Sequence, residues 1–214
     1  MRQILVYGDS VTWGIIPGTR QRLAFDRRWP IVLERRLNAE GAGVRVIENC
    51  LNGRKTVWDD PFRPGRNGAT GLAEVIELNS PLALVVIALG TNDFQATHDI
   101  STWMAGQGVA RLVDIIRQAA IEPGLPRPAI LIVAPPCIVQ PKGENVAKFV
   151  GAERRSEGFA GVLRAVAEAK AARFFDMNAV TPASQVDGIH LDADQHERVG
   201  EAMAPVVRRA IDGV

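Results

Sequence analysis

Leu82-Ala83-Leu84-Val85-Val86-Ile87-Ala88-Leu89, followed at once by Gly90-Thr91-Asn92-Asp93, decides the architecture. A run of apolar and β-branched residues without polar alternation suits a strand covered on both faces, the mark of a parallel sheet between helices. Its abrupt polar end suits a loop at the carboxyl edge of such a sheet, where open α/β folds place their ligands. As the most apolar run in the chain, it reads as a central strand.

Four further runs have the same character: Gln3–Tyr7, Val44–Cys50, Ala129–Ala134 and Arg173–Asp176. Amphipathic patterns lie between them, at Trp29–Ala39, Ser101–Ala120, Glu157–Ala172 and Ala193–Ile211. Strand–helix alternation of this kind implies a mostly parallel five-stranded sheet with right-handed crossovers and helices on both faces, a three-layer α/β/α sandwich. The 214 residues suffice for one substantial domain, expected to span residues 1–214. Residues 51–68 and 135–150 form loops long enough to suggest a functional role.

Composition narrows the function. A formal charge of +1 gives no reason to expect nucleic acid, and the pairs Arg27-Arg28, Arg35-Arg36, Arg154-Arg155 and Arg208-Arg209 are scattered, as on solvated helix faces. The Ile4–Tyr7 run is too short for a signal-peptide core, and no stretch approaches the ~20 apolar residues of a spanning helix. A cytoplasmic chain with no membrane partner is the expectation. Cys50 and Cys137 end apolar stretches and follow no metal-ligand spacing, so buried free thiols are expected.

Four short polar motifs fall at strand ends or in the last loop. Gly8-Asp9-Ser10 follows the first strand; it could be a turn and helix cap, or could expose a nucleophilic serine at the sheet edge. Asn52-Gly53 after the second strand is a common turn pair, yet a glycine N–H there could face an oxyanion. Asn92, after the third strand, carries a side-chain N–H suited to the same task, with Asp93 orienting the loop. Asp187 lies three residues before His190, close enough to hold the imidazole in the tautomer a serine's general base needs. Each motif alone has a bland alternative as a turn or cap. Together, in this order, they supply nucleophile, oxyanion donors and an acid–base pair.

The four blocks Gly8-Asp9-Ser10, Gly53, Gly90-Thr91-Asn92-Asp93 and Asp187-x-x-His190 resemble those of the SGNH (GDSL) hydrolase family across nearly the whole chain. The resemblance implies a flavodoxin-like sheet, a triad of Ser10, Asp187 and His190, and an oxyanion hole from the Ser10 and Gly53 N–H groups and the Asn92 side chain. Trp58-Asp59-Asp60-Pro61 followed by Asn67-Gly68-Ala69 is similar to a bacterial arylesterase and acyltransferase branch, whose members tend to be homo-oligomers, octamers included. The expected activity is hydrolysis of short acyl esters of aryl alcohols or carbohydrates through an acyl-serine, or acyl transfer to an alcohol, with no metal or organic cofactor.

Trp13, one helical turn after Ser10, is a candidate pocket wall, as are Trp58, Phe94, Ile189 and the Pro135–Val139 loop. Arg54 and Lys55, though beside Gly53, are expected at the surface, as are His98 and His196. Two rival readings are a metal-dependent phosphoesterase using Asp9, Asn92, Asp93, Asp187 and His190, and a non-catalytic module binding acylated sugars. The chain has no Gly-x-Ser-x-Gly elbow, P-loop or dinucleotide fingerprint.

Overall fold

The structure, a computed structural model, describes residues 1–213. Its five strands are β1 (Arg2–Gly8), β2 (Val44–Cys50), β3 (Leu84–Ala88), β4 (Ala129–Ala134) and β5 (Arg173–Asp176). They form one sheet in the order β2-β1-β3-β4-β5, and every neighbouring pair is parallel. The helices are α1 (Ser10–Trp13), α2 (Trp29–Ala39), α3 (Leu72–Asn79), α4 (Thr102–Gln118), α5 (Asn145–Lys148), α6 (Ala152–Arg155), α7 (Phe159–Ala169) and α8 (Ala193–Asp212). Among the described residues, no helix is long and apolar enough to cross a membrane.

Alternate residues of each strand feed two cores. Leu5, Tyr7, Val85 and Ile87 pack on the face covered by α3, α4 and α7. Ile4, Val6, Leu84 and Val86 pack on the opposite face, under α2 and α8. This double burial explains why the strands read as unbroken apolar runs. The α2–α8 contact is close because Gly200 has no side chain: a Cβ there would lie 2.7 Å from Val32 and 2.8 Å from the Trp29 carbonyl oxygen.

The sheet order places β1 beside β3, with β2 on one side and β4 and β5 on the other. The chain therefore reverses its direction of growth between β1 and β3, and the loops leaving those strands diverge around a crevice. Ser10 leaves β1 and Asn92 follows β3, so both open onto it.

Several expectations change. The apolar run begins at Leu82, but regular pairing of β3 begins at Leu84 and ends at Ala88. The expected helix Glu157–Ala172 is Phe159–Ala169, because Gly158 before it (φ 79°) and Ala171 after it (φ 43°) take left-handed conformations. The short helix α3 was not anticipated, although it buries Leu72 and Ile76 at helical spacing. Cys50 is only half-buried and Cys137 is exposed; both are free. Arg28 is buried rather than solvated, its guanidinium 2.6 Å from Glu48.

Candidate active site

Ser10 begins α1 directly after the sheet edge. Asp9 caps that helix, its Oδ1 accepting the Val11 N–H at 2.9 Å, and Gly14 closes it in a left-handed conformation. Gly8 has to be glycine, since a Cβ would meet Thr12 Oγ1 at 2.8 Å and Cys50 Sγ at 3.3 Å. The turn from strand into helix is thus tight, and Ser10 is held in the crevice with only 6% of its surface exposed.

His190 arrives from the loop before α8. Its Nε2 lies 3.0 Å from Ser10 Oγ, and its Nδ1 lies 2.7 Å from Asp187 Oδ2. A carboxylate can only accept, so the proton resides on Nδ1 and Nε2 is free to accept from the serine hydroxyl. Asp187 Oδ1 also accepts the N–H groups of Ile189 (2.9 Å) and His190 (3.0 Å), which fixes the carboxylate from behind. Burial pushes the Asp187 carboxyl up, but the hydrogen bonds and charge of His190, with the Ile189 N–H, outweigh it and hold the group down at about 2. Asp187 therefore stays ionised beside the imidazole. Gly188, at φ 80°, permits the sharp turn between them.

Asn92 is positioned from both ends. Its Nδ2 donates to Asp9 Oδ2 at 3.0 Å, and its Oδ1 accepts from Gln95 Nε2 at 2.5 Å. That leaves one side-chain N–H for the crevice. Among the described residues, neither the Ser10 N–H nor the Gly53 N–H makes a hydrogen bond within the protein. These three donors border the same narrow slot as Ser10 and His190. Burial raises the Asp9 carboxyl to about 6 despite the Val11 N–H, His190, the Asn92 amide and Arg54.

The 51–68 loop is anchored rather than loose. Lys55 is completely buried and its Nζ donates to Asn92 O and Gln95 Oε1, both at 3.0 Å, with Asp60 at 3.8 Å. Arg54 donates to Gly8 O and Asn49 O and lies over the Tyr7 ring, 3.9 Å from its centroid. The expected surface placement of both is thus overturned: their donors complete the backbone at the ends of β1, β2 and β3. Asp93 accepts from the Thr56 N–H at 2.8 Å and the Thr56 hydroxyl at 2.5 Å. Burial lifts it to about 7 against those bonds.

His196, also expected at the surface, is fully buried; its Nδ1 accepts the Trp29 N–H at 3.1 Å. Burial, then the charges of His190 and Arg28, lower it to about 3, so it is neutral. His98 is half-buried, its Nε2 2.8 Å from Asp59 O.

None of the four side chains expected to wall the pocket borders the slot. Trp13 lies under Arg22, whose guanidinium carbon is 4.6 Å from the ring centroid. Trp58 faces an outer patch with Trp103 and Met104. Phe94 packs edge-on to Phe159 and, with Pro135, Pro136, Cys137 and Ile138 of the other expected wall, lines a separate small cavity; Ile189 is in the core. Ile15, Phe149, Asn145, Arg20, Arg63 and Lys148 line the slot instead. Three of these come from the 135–150 loop, which folds back as α5 and pairs with the loop carrying Asp187 and His190 through Val139 N–H to Gly188 O and Lys142 N–H to Asp187 O, both 3.1 Å. The slot is about 20 Å³ in volume and shares Arg20, Asn145 and His190 with a wider bay of about 190 Å³.

The ligand set of the phosphoesterase reading does not assemble. Both Asp93 oxygens hold Thr56, and among the described residues no three His, Cys, Asp or Glu side chains converge as a metal site would need.

A family model described as the GDSL-like lipase/acylhydrolase family matches residues 6–198. Among solved structures, a carbohydrate acetylesterase family member from Sinorhizobium meliloti superposes with a TM-score of 0.92 at 36% identity, covering 99% of this chain and 100% of its own. The inhibitor-bound aryl esterase of M. smegmatis gives 0.92 at 34% identity, over 98% of this chain and 100% of its own. A second carbohydrate acetylesterase from S. meliloti gives 0.90 at 32% identity, over 97% and 99%. No curated protein sequence matches the chain.

Proposed function

The chain belongs to the GDSL-like lipase/acylhydrolase family and is a carboxylic ester hydrolase; from that premise we propose that it cleaves short-chain acyl esters through an acyl-enzyme on Ser10. The observation that carries the proposal is the unbroken relay Ser10 Oγ–His190–Asp187, at 3.0 and 2.7 Å. Serine is a poor nucleophile until a base takes its proton, and here the base has its free nitrogen on the hydroxyl and its N–H on a carboxylate.

In the proposed reaction Ser10 Oγ attacks the ester carbonyl while Nε2 of His190 takes the proton. Negative charge develops on the carbonyl oxygen, opposite the free N–H groups of Ser10, Gly53 and Asn92. Donors already in place cost no reorganisation as that charge grows, and each is worth about 10²–10³ in rate. His190 then returns the proton to the departing alkoxide, and the alcohol leaves. Water, activated by the same imidazole, releases the acid from Ser10; an alcohol in its place would be acylated. The slot's volume of about 20 Å³, room for little more than one water molecule, favours acetyl and similarly small acyl groups. The structural relatives are described as aryl esterases and carbohydrate acetylesterases, and the aryl or carbohydrate alcohol of such an ester would leave through the wider bay.

Ser10→Ala tests the proposal. Turnover of p-nitrophenyl acetate should fall at least ~10³-fold, with the fold intact by circular dichroism. A Ser10→Ala protein that hydrolyses the ester within tenfold of the parent rate would refute it.

A further inference from the structure

The slot that holds Ser10 carries a charge pattern that ester hydrolysis alone does not require. Arg20, Arg63 and Lys148 all line it, from three separate segments of the chain. None of the three makes a salt bridge among the described residues. Elsewhere the cations commonly do: Arg28 faces Glu48, Arg45 faces Glu34, and Lys170 faces Asp114. With a formal charge of only +1 for the chain, the excess is local to the slot rather than a property of the whole surface.

The cations are also close to the reacting groups. Arg63 lies against Gly53, its Nη1 3.1 Å from where a Cβ on that glycine would stand, and Arg66 Nε is 3.9 Å from the same point. Arg20 is exposed and borders both the slot and the bay. Lys148 is half-buried at the end of α5. Burial, followed by the charges of Arg63, Lys55 and Arg20, pushes Lys148 below its usual value, and Arg63 is lowered by burial and then by Arg66 and Arg20. Their like charges thus feel one another and are not neutralised. Asp60, the carboxylate opposing them, is committed to Lys55 and to the Phe62 and Arg63 N–H groups. Asp187 is committed to His190. Glu144, on the far bay, is exposed to solvent.

Cations that line a concave, partly dry site focus their field into it and draw in anions. We propose that the preferred substrate is a short acyl ester whose alcohol part bears an anionic group, a carboxylate, sulfate or phosphate, drawn in by the joint field of Arg20, Arg63 and Lys148 and received by Arg20, which borders both the slot and the bay. The anion belongs to the alcohol part because the slot beside Ser10 admits only a small acyl group, whereas the adjoining bay is wider and shares Arg20 with the slot. The inference rests on the Ser10 reading for its chemistry.

The test compares 4-acetoxybenzoate with the neutral 4-acetoxybenzamide. At low salt kcat/KM should favour the anionic ester by about tenfold or more, as expected for a few partly screened charge contacts. The preference should shrink as ionic strength rises, because the Debye length shortens to about 8 Å at 0.15 M. In Arg63→Gln and Lys148→Gln, the ratio of the two kcat/KM values should fall several-fold; the ratio cancels any general loss of activity, and the salt titration of the parent enzyme needs no variant at all. A ratio near one at low salt, a ratio untouched by both substitutions, or a preference only for anions on the acyl side would overturn the proposal. Calorimetry of 4-hydroxybenzoate against 4-hydroxybenzamide reads the same preference without turnover. Binding of the anion with no hydrolysis of either ester would therefore sink the Ser10 reading alone, and hydrolysis without preference would sink this one alone.

Discussion

Replacing Gly188 with alanine should damage catalysis by moving His190, the proposed general base, without touching it. Gly188 has φ 80°, so an alanine there pays the left-handed penalty of about 1–2 kcal/mol. Its Cβ would also lie 2.4 Å from Gln140 O, 2.9 Å from Gln140 C and 3.0 Å from Val139 O. Ordinary C···O contact begins near ~3.3 Å, so one segment must retreat by roughly 1 Å. Both segments are backbone, and they are bonded to each other through Val139 N–H to Gly188 O and Lys142 N–H to Asp187 O. Loss of one such bond adds ~1 kcal/mol, for a total of about 2–3 kcal/mol, or roughly 4–12 °C in Tm at this chain length. If the 184–190 segment yields, the 3.0 Å contact of His190 with Ser10 opens. A 1 Å misplacement of a catalytic group costs on the order of 10² in rate. The assay is kcat on p-nitrophenyl acetate beside urea unfolding, with Gly124→Ala as control. Gly124 has φ 87° but nothing within 4 Å of a Cβ, in the loop before β4 at the other end of the sheet. The control should lose stability but not kcat. A Gly188→Ala enzyme within threefold of the parent kcat would refute the reasoning, as would an equal loss of activity in the control.

Asp9 should act through Asn92, from which it accepts a hydrogen bond at 3.0 Å. Asp9→Ala is expected to lower kcat by about 10–10² with little change in KM, and adding it to Asn92→Ala should cost much less than the product of the two single losses. His196 should shape the acid limb of stability. It is neutral in the folded protein because burial lowers it to about 3, whereas the unfolded imidazole takes up a proton below ~6.5. The unfolded state therefore binds the extra proton between those values, and stability falls as pH drops through the window, by about 1.4 kcal/mol per pH unit. Asp9 and Asp93, raised to about 6 and about 7, push the other way between their ordinary values and those points. The contribution is thus read from the difference between the parent and His196→Asn, which keeps an acceptor for the Trp29 N–H. Urea-unfolding curves at pH 4 to 7 should show the variant losing less stability on acidification; parallel curves would contradict the assignment.

The sheet was legible because its strands are buried on both faces, which leaves unbroken runs such as Val85-Val86-Ile87 in the sequence. The polar residues that end those runs were legible for a related reason: Ser10 and Asn92 interrupt apolar stretches where a parallel sheet opens its crevice. Buried charges were not legible. Lys55, Arg54, Arg28 and His196 are held by Asn92 O, Gly8 O, Glu48 and the Trp29 N–H, partners distant in sequence that only the fold brings within reach. The lining of the slot itself was hidden for the opposite reason. Apolar side chains near the motifs suggested a wall, but Ile189 is absorbed into the core, Phe94 packs on Phe159 beside a separate cavity, and the slot is closed by the 145–149 segment and by arginines from two other loops. The short helix α3 hid inside a stretch rich in loop residues, its signal only Leu72, Val75 and Ile76.

Passage of the acyl group through a bond to the Ser10 oxygen is read by peptide mass spectrometry after brief exposure to a fluorophosphonate ester. One phosphonyl adduct per chain is expected, on the peptide containing Gly8-Asp9-Ser10, formed in parallel with loss of esterase activity. Full inactivation with the adduct on another residue, or undiminished labelling of Ser10→Ala, would contradict it.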